Sequence, residues 1–205
     1  MRIMIKFLLR GFEGDYFMIN VFSVYSDKVT LREITPSDIE NYVNWYFYDK
    51  EWEEWDAPWE RLEFKEEEIK IFFFSKMLKE RQKEVKNFLQ IVTNKGKPIG
   101  WVSSYFIKGD KEKLAVGITI PPVEERGKGY GEDAIKAYIK YLSGYYKKIY
   151  METWSGNKPM MNVAKKIGFY KINREENFWG NNGFNYDGIT YLLDLEVFLN
   201  EQKII

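Results

Sequence analysis

The run Arg126-Gly127-Lys128-Gly129-Tyr130-Gly131 is where residue type and spacing in this 205-residue chain most clearly specify chemistry. Glycines at alternate positions let a backbone approach a ligand closely and adopt positive φ angles. The run follows an apolar strand and precedes Ile135, Tyr138, Ile139 and Leu142 at helical spacing, so it opens a helix whose first N–H groups are unpaired. An anion, most naturally a phosphate, can be held there, with Arg126 and Lys128 expected to add charge-assisted contacts. A glycine-rich turn that binds nothing is the alternative. A Walker loop is disfavoured because Gly-x-x-x-x-Gly-Lys-Ser/Thr is absent. A dinucleotide fold is disfavoured because the preceding strands read as antiparallel hairpins rather than βαβ units.

The chain has no histidine and no cysteine. Disulfides, thiol nucleophiles, iron–sulfur clusters, His-based triads and the usual Cys/His zinc sites are therefore excluded. Chemistry must rest on carboxylates, tyrosines, lysines, backbone amides or a bound cofactor. Lys plus Arg and Asp plus Glu both number 31, and that balance argues against a general nucleic-acid binder. It hides an acidic, tryptophan-rich segment: Asp49 to Glu68 holds ten acidic residues against Lys50, Arg61 and Lys65, together with Trp52, Trp55 and Trp59. No apolar run is long enough to span a bilayer. The start, charged at Lys6 and Arg10 and lacking a small-residue cleavage site, does not read as a signal peptide, so a soluble cytoplasmic protein is expected.

The elements that must position these residues are legible in outline. Residues 1–27 are expected to form an extension, a β-hairpin turning through Gly11-Phe12-Glu13-Gly14-Asp15, ahead of a domain over 28–205. Val29 to Ile34 alternates as a half-buried strand, and Thr35-Pro36-Ser37-Asp38 is a capping box with proline at the first helical position. Glu66 to Arg81 predicts a second helix. Strands are predicted over Phe88–Thr93, Ile99–Ile107, Leu114–Ile120 and Ile149–Thr153. Asn157 caps a short helix that Gly168 closes. Two last strands, Phe169–Arg174 and Ile189–Phe198, flank a polar loop at Trp179-Gly180-Asn181-Asn182-Gly183. The fold class is mixed α+β, antiparallel strands with helices on the faces.

Two spaced motifs give this pattern a resemblance. Arg126, Gly129 and Gly131 match Gln/Arg-x-x-Gly-x-Gly/Ala, and Asn157, Lys166, Gly168 and Phe169 match an Asn followed by a helix ending in Lys-x-Gly-Phe. With Leu31, Arg32, Thr35 and Asp38 and the order of elements, residues 28 to 198 resemble the GNAT superfamily of N-acetyltransferases, closest to its RimJ/RimL-like branch. The resemblance implies a three-layer fold with a central, mostly antiparallel sheet. It implies acetyl-CoA as acyl donor and no metal. The pyrophosphate would lie on the amides of Gly127, Lys128, Gly129, Tyr130 and Gly131, and the pantetheine arm along the free edge of Gly117, Ile118, Thr119 and Ile120. One amide of that edge would stabilise the oxyanion, Asn157 would orient the cofactor or a water, and an amine would attack directly, which needs neither missing residue type.

The likeness thins at the acid and the base. Many relatives place a tyrosine seven residues after the Asn, where this chain has Ala164, and Ala115 stands where some have a glutamate. Glu152, near where the strands part, is the first candidate base, with an outward-facing strand residue as the alternative and with Asp49, Glu53 and Asp56 behind it. A water, Tyr170 or the thiolate itself would handle the leaving-group proton. The acceptor is expected to be a primary amine: a protein N-terminus, or a small cation such as an aminoglycoside or polyamine drawn to the Asp49–Glu60 segment by charge and indole faces. The hairpin from Phe178 to Tyr186 would cover that site or contact a second copy in a homodimer. A non-catalytic CoA-binding module of the same fold is the alternative function.

Overall fold

The computed structural model describes residues 2–10, 16–60, 63–181 and 183–201. A nine-stranded sheet is its frame: β1 (Arg2–Arg10), β2 (Tyr16–Tyr25), β3 (Val29–Arg32), β4 (Phe88–Thr93), β5 (Pro98–Phe106), β6 (Leu114–Thr119), β7 (Lys148–Trp154), β8 (Tyr170–Asn181) and β9 (Phe184–Asp194). The order across it is β1-β2-β3-β4-β5-β6-β7-β9-β8. All pairings are antiparallel except β6 with β7. The expected hairpin of the first 27 residues is present as β1 paired with β2, its turn lying outside the described residues. Because β2 also pairs with β3, this hairpin and the following chain share one sheet.

Helices cover both faces. A 3₁₀ turn (Pro36–Asp38) leads into α1 (Ile39–Val43) and a π-helical turn (Asn44–Tyr48). They are followed by α2 (Glu66–Gln82), α3 (Tyr130–Leu142), α4 (Lys158–Ile167) and α5 (Leu195–Glu201). Period-two alternation along β4 and β5 divides the core. Leu89 and Val102 join the larger cluster with Ile135, Tyr138 and Leu142 of α3, whereas Phe88 and Trp101 join a smaller one with Tyr42 and Phe73 of α1 and α2. Each fully buried side chain of this size contributes roughly 1.5–3 kcal/mol. Tyr42 stacks on Phe73 at 3.9 Å between centroids, and its hydroxyl donates to Gln90 Oε1 at 2.5 Å.

The first capping box is reinforced from behind. Asp38 accepts from the Thr35 N–H and hydroxyl, each at 2.7 Å, and takes a bidentate contact from the buried Arg32 guanidinium at 2.6 and 2.7 Å. That explains why Arg32, Thr35 and Asp38 occur as a spaced set. Asn157 caps α4 as predicted, its side-chain oxygen accepting from the Met160 N–H at 3.0 Å, and Gly168 ends the helix at φ +101°.

The end of the chain departs from the sequence reading. The last strand stops at Asp194 rather than Phe198, because the Asp194 carboxylate accepts the Glu196 and Val197 N–H groups at 2.9 and 3.2 Å and starts α5. The Gly/Asn-rich stretch read as loop from Trp179 is mostly strand, β8 continuing through Asn181 and β9 resuming at Phe184. Aromatic rings pack across it: Trp179 stacks on Tyr186 at 5.3 Å, and Trp154 of β7 meets Tyr186 edge-on at 4.9 Å.

Candidate acyl-donor and acceptor site

The one parallel pairing in the sheet sets the site. β6 and β7 are in register only where Ala115 faces Tyr150, and beyond that point they part. Burial along β6 changes at the same place: Leu114, Ala115 and Val116 are buried, whereas Gly117, Ile118 and Thr119 are half open. A cavity of about 610 Å³ fills the gap. Its donor side runs along Gly117, Ile118, Thr119 and Ile120 to Gly127, Gly129 and Gly131. Across from these lie Glu152 and Thr153 of β7 and Asn157, Met160 and Val163 around the start of α4. Trp52, Trp55, Asp56 and Tyr105 line it as well.

The glycine loop is shaped for close approach. Gly127 and Gly129 hold φ of +73° and +84°, a region L side chains rarely enter, and Gly129 is the residue from which α3 starts. A Cβ at Gly127 would meet nothing within 4 Å, so the backbone there is open. Lys128 and Tyr130, expected in the same cradle, are outside the cavity wall.

The loop's cations, Arg126 and Lys128, already hold protein partners, Arg126 from within the cavity wall. Arg126 donates from Nε to the Ile120 carbonyl and from Nη2 to the Pro121 carbonyl, both at 2.7 Å, and from Nη1 to Glu51 at 2.5 Å. Lys128 pairs with the buried Glu125 carboxylate at 2.8 Å, which Lys97 also holds at 2.7 Å. Two other cations stand near instead. Lys28 Nζ donates to the Lys128 carbonyl at 3.1 Å, and Lys166 lines the cavity. Lys28 arrives by a turn that sequence spacing does not reveal: Asp133 of α3 accepts from Ser26 Oγ at 2.5 Å and from the Lys28 and Val29 N–H groups at 2.9 and 3.2 Å.

Across the parted strands, Tyr105 donates to Glu152 Oε2 at 3.1 Å. Burial, then the Glu152 charge, push the Tyr105 phenol well above its ordinary value, so it stays protonated at neutral pH. Tyr105 was missed in the sequence, where it is one aromatic among many in a strand. Protein crowding and the like charges of Glu60 and Glu53 push the Asp56 carboxyl up. Asn157 donates to the Trp55 carbonyl at 2.5 Å while its oxygen caps α4, so it ties the acidic segment to the α4 side of the cavity. Trp154 Nε1 makes a second tie to the same carbonyl at 3.2 Å. Tyr170, named as a proton source, lies away from this cavity, beside a smaller hollow near α5. The Phe178–Tyr186 hairpin contacts the acidic segment through Trp59, whose ring lies 5.0 Å from Phe178 and 5.5 Å from Trp179.

Residues 28–170 match the acetyltransferase (GNAT) domain family. A search of curated proteins gave no match. Among solved structures, a GNAT-family acetyltransferase from Bacillus anthracis is 17% identical with a TM-score of 0.68, covering 85% of this chain and 99% of that one. A ribosomal-protein-S5-alanine acetyltransferase from Vibrio fischeri is 21% identical at TM-score 0.66, covering 84% and 96%. RimL, a ribosomal L7/L12 α-N-protein acetyltransferase solved in complex with coenzyme A, is 15% identical at TM-score 0.68, covering 84% and 97%. At these identities the likeness is one of fold. The parted strands, the glycine loop at the head of α3 and the match over residues 28–170 agree, and the chain belongs to the GNAT acetyltransferase family.

Proposed function

We propose that the protein is an acetyl-CoA-dependent N-acetyltransferase that passes the acetyl group directly to a primary amine. The observation that carries this reading is the continuous free edge of β6, which leads from the parting at Gly117 to the glycine loop inside one cavity. An extended, hydrogen-bonding arm ending in a diphosphate fits that shape: amides from Ile118 to Ile120 are placed to pair with the arm, and the N–H groups of Gly127, Gly129 and Gly131 to hold the diphosphate. When bound, acetyl-CoA supplies an acetyl group already activated as a thioester. The amides of the β6 edge are fixed donors for charge that develops on the acyl oxygen.

The other residues serve the amine. Asp56 and Glu152 add carboxylates, and Trp52 and Trp55 indole rings, to the lining of the same cavity, a surface that attracts an ammonium group. Glu152 accepts the amine's proton, directly or through a water, and Tyr105 holds its carboxylate in place by hydrogen bond. Asn157 acts by position, joining Trp55 to the first turn of α4. No cysteine is present to form an acyl-enzyme on sulfur, consistent with direct attack.

Two acceptor classes share this ammonium chemistry: a protein N-terminus, as with the ribosomal-protein acetyltransferases of like fold, and a small polycation such as a polyamine or aminoglycoside. Incubation with acetyl-CoA and a panel spanning both, followed by mass spectrometry, assigns the class. Intersecting initial-rate lines are expected, and parallel lines would point to a covalent acyl-enzyme and against direct attack.

A further inference from the structure

Six of the large apolar side chains exposed among the described residues lie on α2 or on the π-helical turn that follows α1: Phe47, Tyr48, Ile71, Phe72, Phe74 and Leu78. The buried side of α2 is Ile69, Phe73, Met77 and Glu80. At 100° per residue, a second stripe runs along the opposite side, Glu67, Ile71, Phe74, Leu78 and Arg81, at alternating steps of four and three. That is the spacing of a helix that packs lengthwise on another helix. Ile71 is 69% exposed, Phe74 47% and Leu78 45%, far more than a 17-residue surface helix needs to leave open.

We propose that this stripe pairs with the same stripe of a second copy, antiparallel, about a two-fold axis beside Phe74. The charge pattern selects that occupant. α2 carries Glu66, Glu67 and Glu68 in its first turn and Lys79 and Arg81 in its last. Reversing one helix on the other sets Phe74 against Phe74, Ile71 against Leu78, and Glu67 at each end against Arg81. On the flank, Glu68 meets Lys79. Parallel pairing would instead place like charges together at both ends, and an unrelated helix would have no reason to match the stripe end for end. A lone helix pair is small beside a standard interface, so the dimer is reversible. It uses none of the cavity residues and stands independently of the proposed reaction.

Sedimentation of the full chain over a concentration series tests it. The wild type is expected to shift from monomer to dimer. Phe74→Glu, which places two carboxylates at the axis, is expected to weaken the dimer by about 30-fold or more. Phe74 is exposed, so circular dichroism should show an unchanged fold. A second probe exploits the cysteine-free sequence: Phe74→Cys on the axis should give a disulfide-linked dimer on mild oxidation, and Glu112→Cys, exposed elsewhere, should not. A wild type that stays monomeric at every concentration overturns the proposal. So does a dimer that survives Phe74→Glu, or a wild-type dimer whose Phe74→Cys counterpart cannot be locked, since each places the contact on another face.

Discussion

Arg126 at the mouth of the glycine loop and Glu51 in the acidic segment form an ion pair at 2.5 Å across 75 residues of sequence. The same guanidinium holds the carbonyls of Ile120 and Pro121. The motif arginine is thus a clamp between the end of β6 and the acidic segment, its fork matched to three protein oxygens. Arg126→Gln is expected to weaken acetyl-CoA binding by about tenfold, about 1.4 kcal/mol, by loosening the loop. Lysine should not restore it, because an ammonium cannot span the three acceptors. Calorimetric titration of acetyl-CoA into the two variants measures both. Against the opposing effect of burial, hydrogen bonds from Trp55 and Arg126 hold the Glu51 carboxyl below its ordinary range. The pair therefore contributes at neutral pH and is lost as pH falls through that lowered value.

Gly129 is the position at which backbone conformation and ligand approach coincide. At φ +84° any side chain is strained, and a Cβ would lie 2.7 Å from Lys28 Nζ. Gly129→Ala should cost about 1–2 kcal/mol of stability through the strain alone, read by urea unfolding. Gly129→Asp adds a negative charge where a diphosphate is to bind, so its acetyl-CoA affinity should fall well below that of the alanine variant. Equal affinities would place the diphosphate elsewhere.

For Glu152, the expectation is a loss confined to turnover. Glu152→Gln should lower kcat by about 100-fold, a typical contribution of a positioned base, and leave acetyl-CoA affinity unchanged. Undiminished kcat would remove Glu152 as the base and leave it as the partner of Tyr105.

Asp56 predicts opposite effects on stability and on acceptor binding. An acid whose folded value is raised binds its proton more tightly when folded, so keeping it ionised at neutral pH works against folding, and the penalty fades as pH drops through the raised value. Asp56→Asn should therefore raise the Tm at neutral pH and leave it nearly unchanged in acid. The same substitution should raise KM for a cationic amine. A thermal scan at both pH values, with KM for the best acceptor, checks the pair of outcomes.

Local signals carried much of the fold. The stripe from Ile135 to Leu142, Asn157 and Gly168 at the ends of α4, and the alternating glycines all act through their own sequence neighbourhood, so they could be read before any tertiary contact was known. What was not legible depends on distant partners. Arg126 reads as a phosphate ligand until Glu51 is brought beside it, and Lys28 gains its place only because Asp133 anchors the turn at Ser26 to Val29. Tyr105 becomes part of the site only through Glu152 on the far side of the parted strands. The stretch around Gly180 carries turn residues but is held as strand by the cross-strand stack of Trp179 on Tyr186, which Trp154 joins from β7, outside the hairpin. At Asp194 the reverse happened: an apolar run that looks extended was ended by a carboxylate caught on the next two free N–H groups.

Acetyl transfer from acetyl-CoA to an amine in the cavity between β6 and β7 is tested most directly by the release of free CoA thiol from the purified wild type, followed with acetyl-CoA alone and then with primary amines of both acceptor classes. Little release is expected without amine, and a saturable, amine-dependent rate with at least one class. Acetyl-CoA binding with no amine-dependent release from any of them would contradict it.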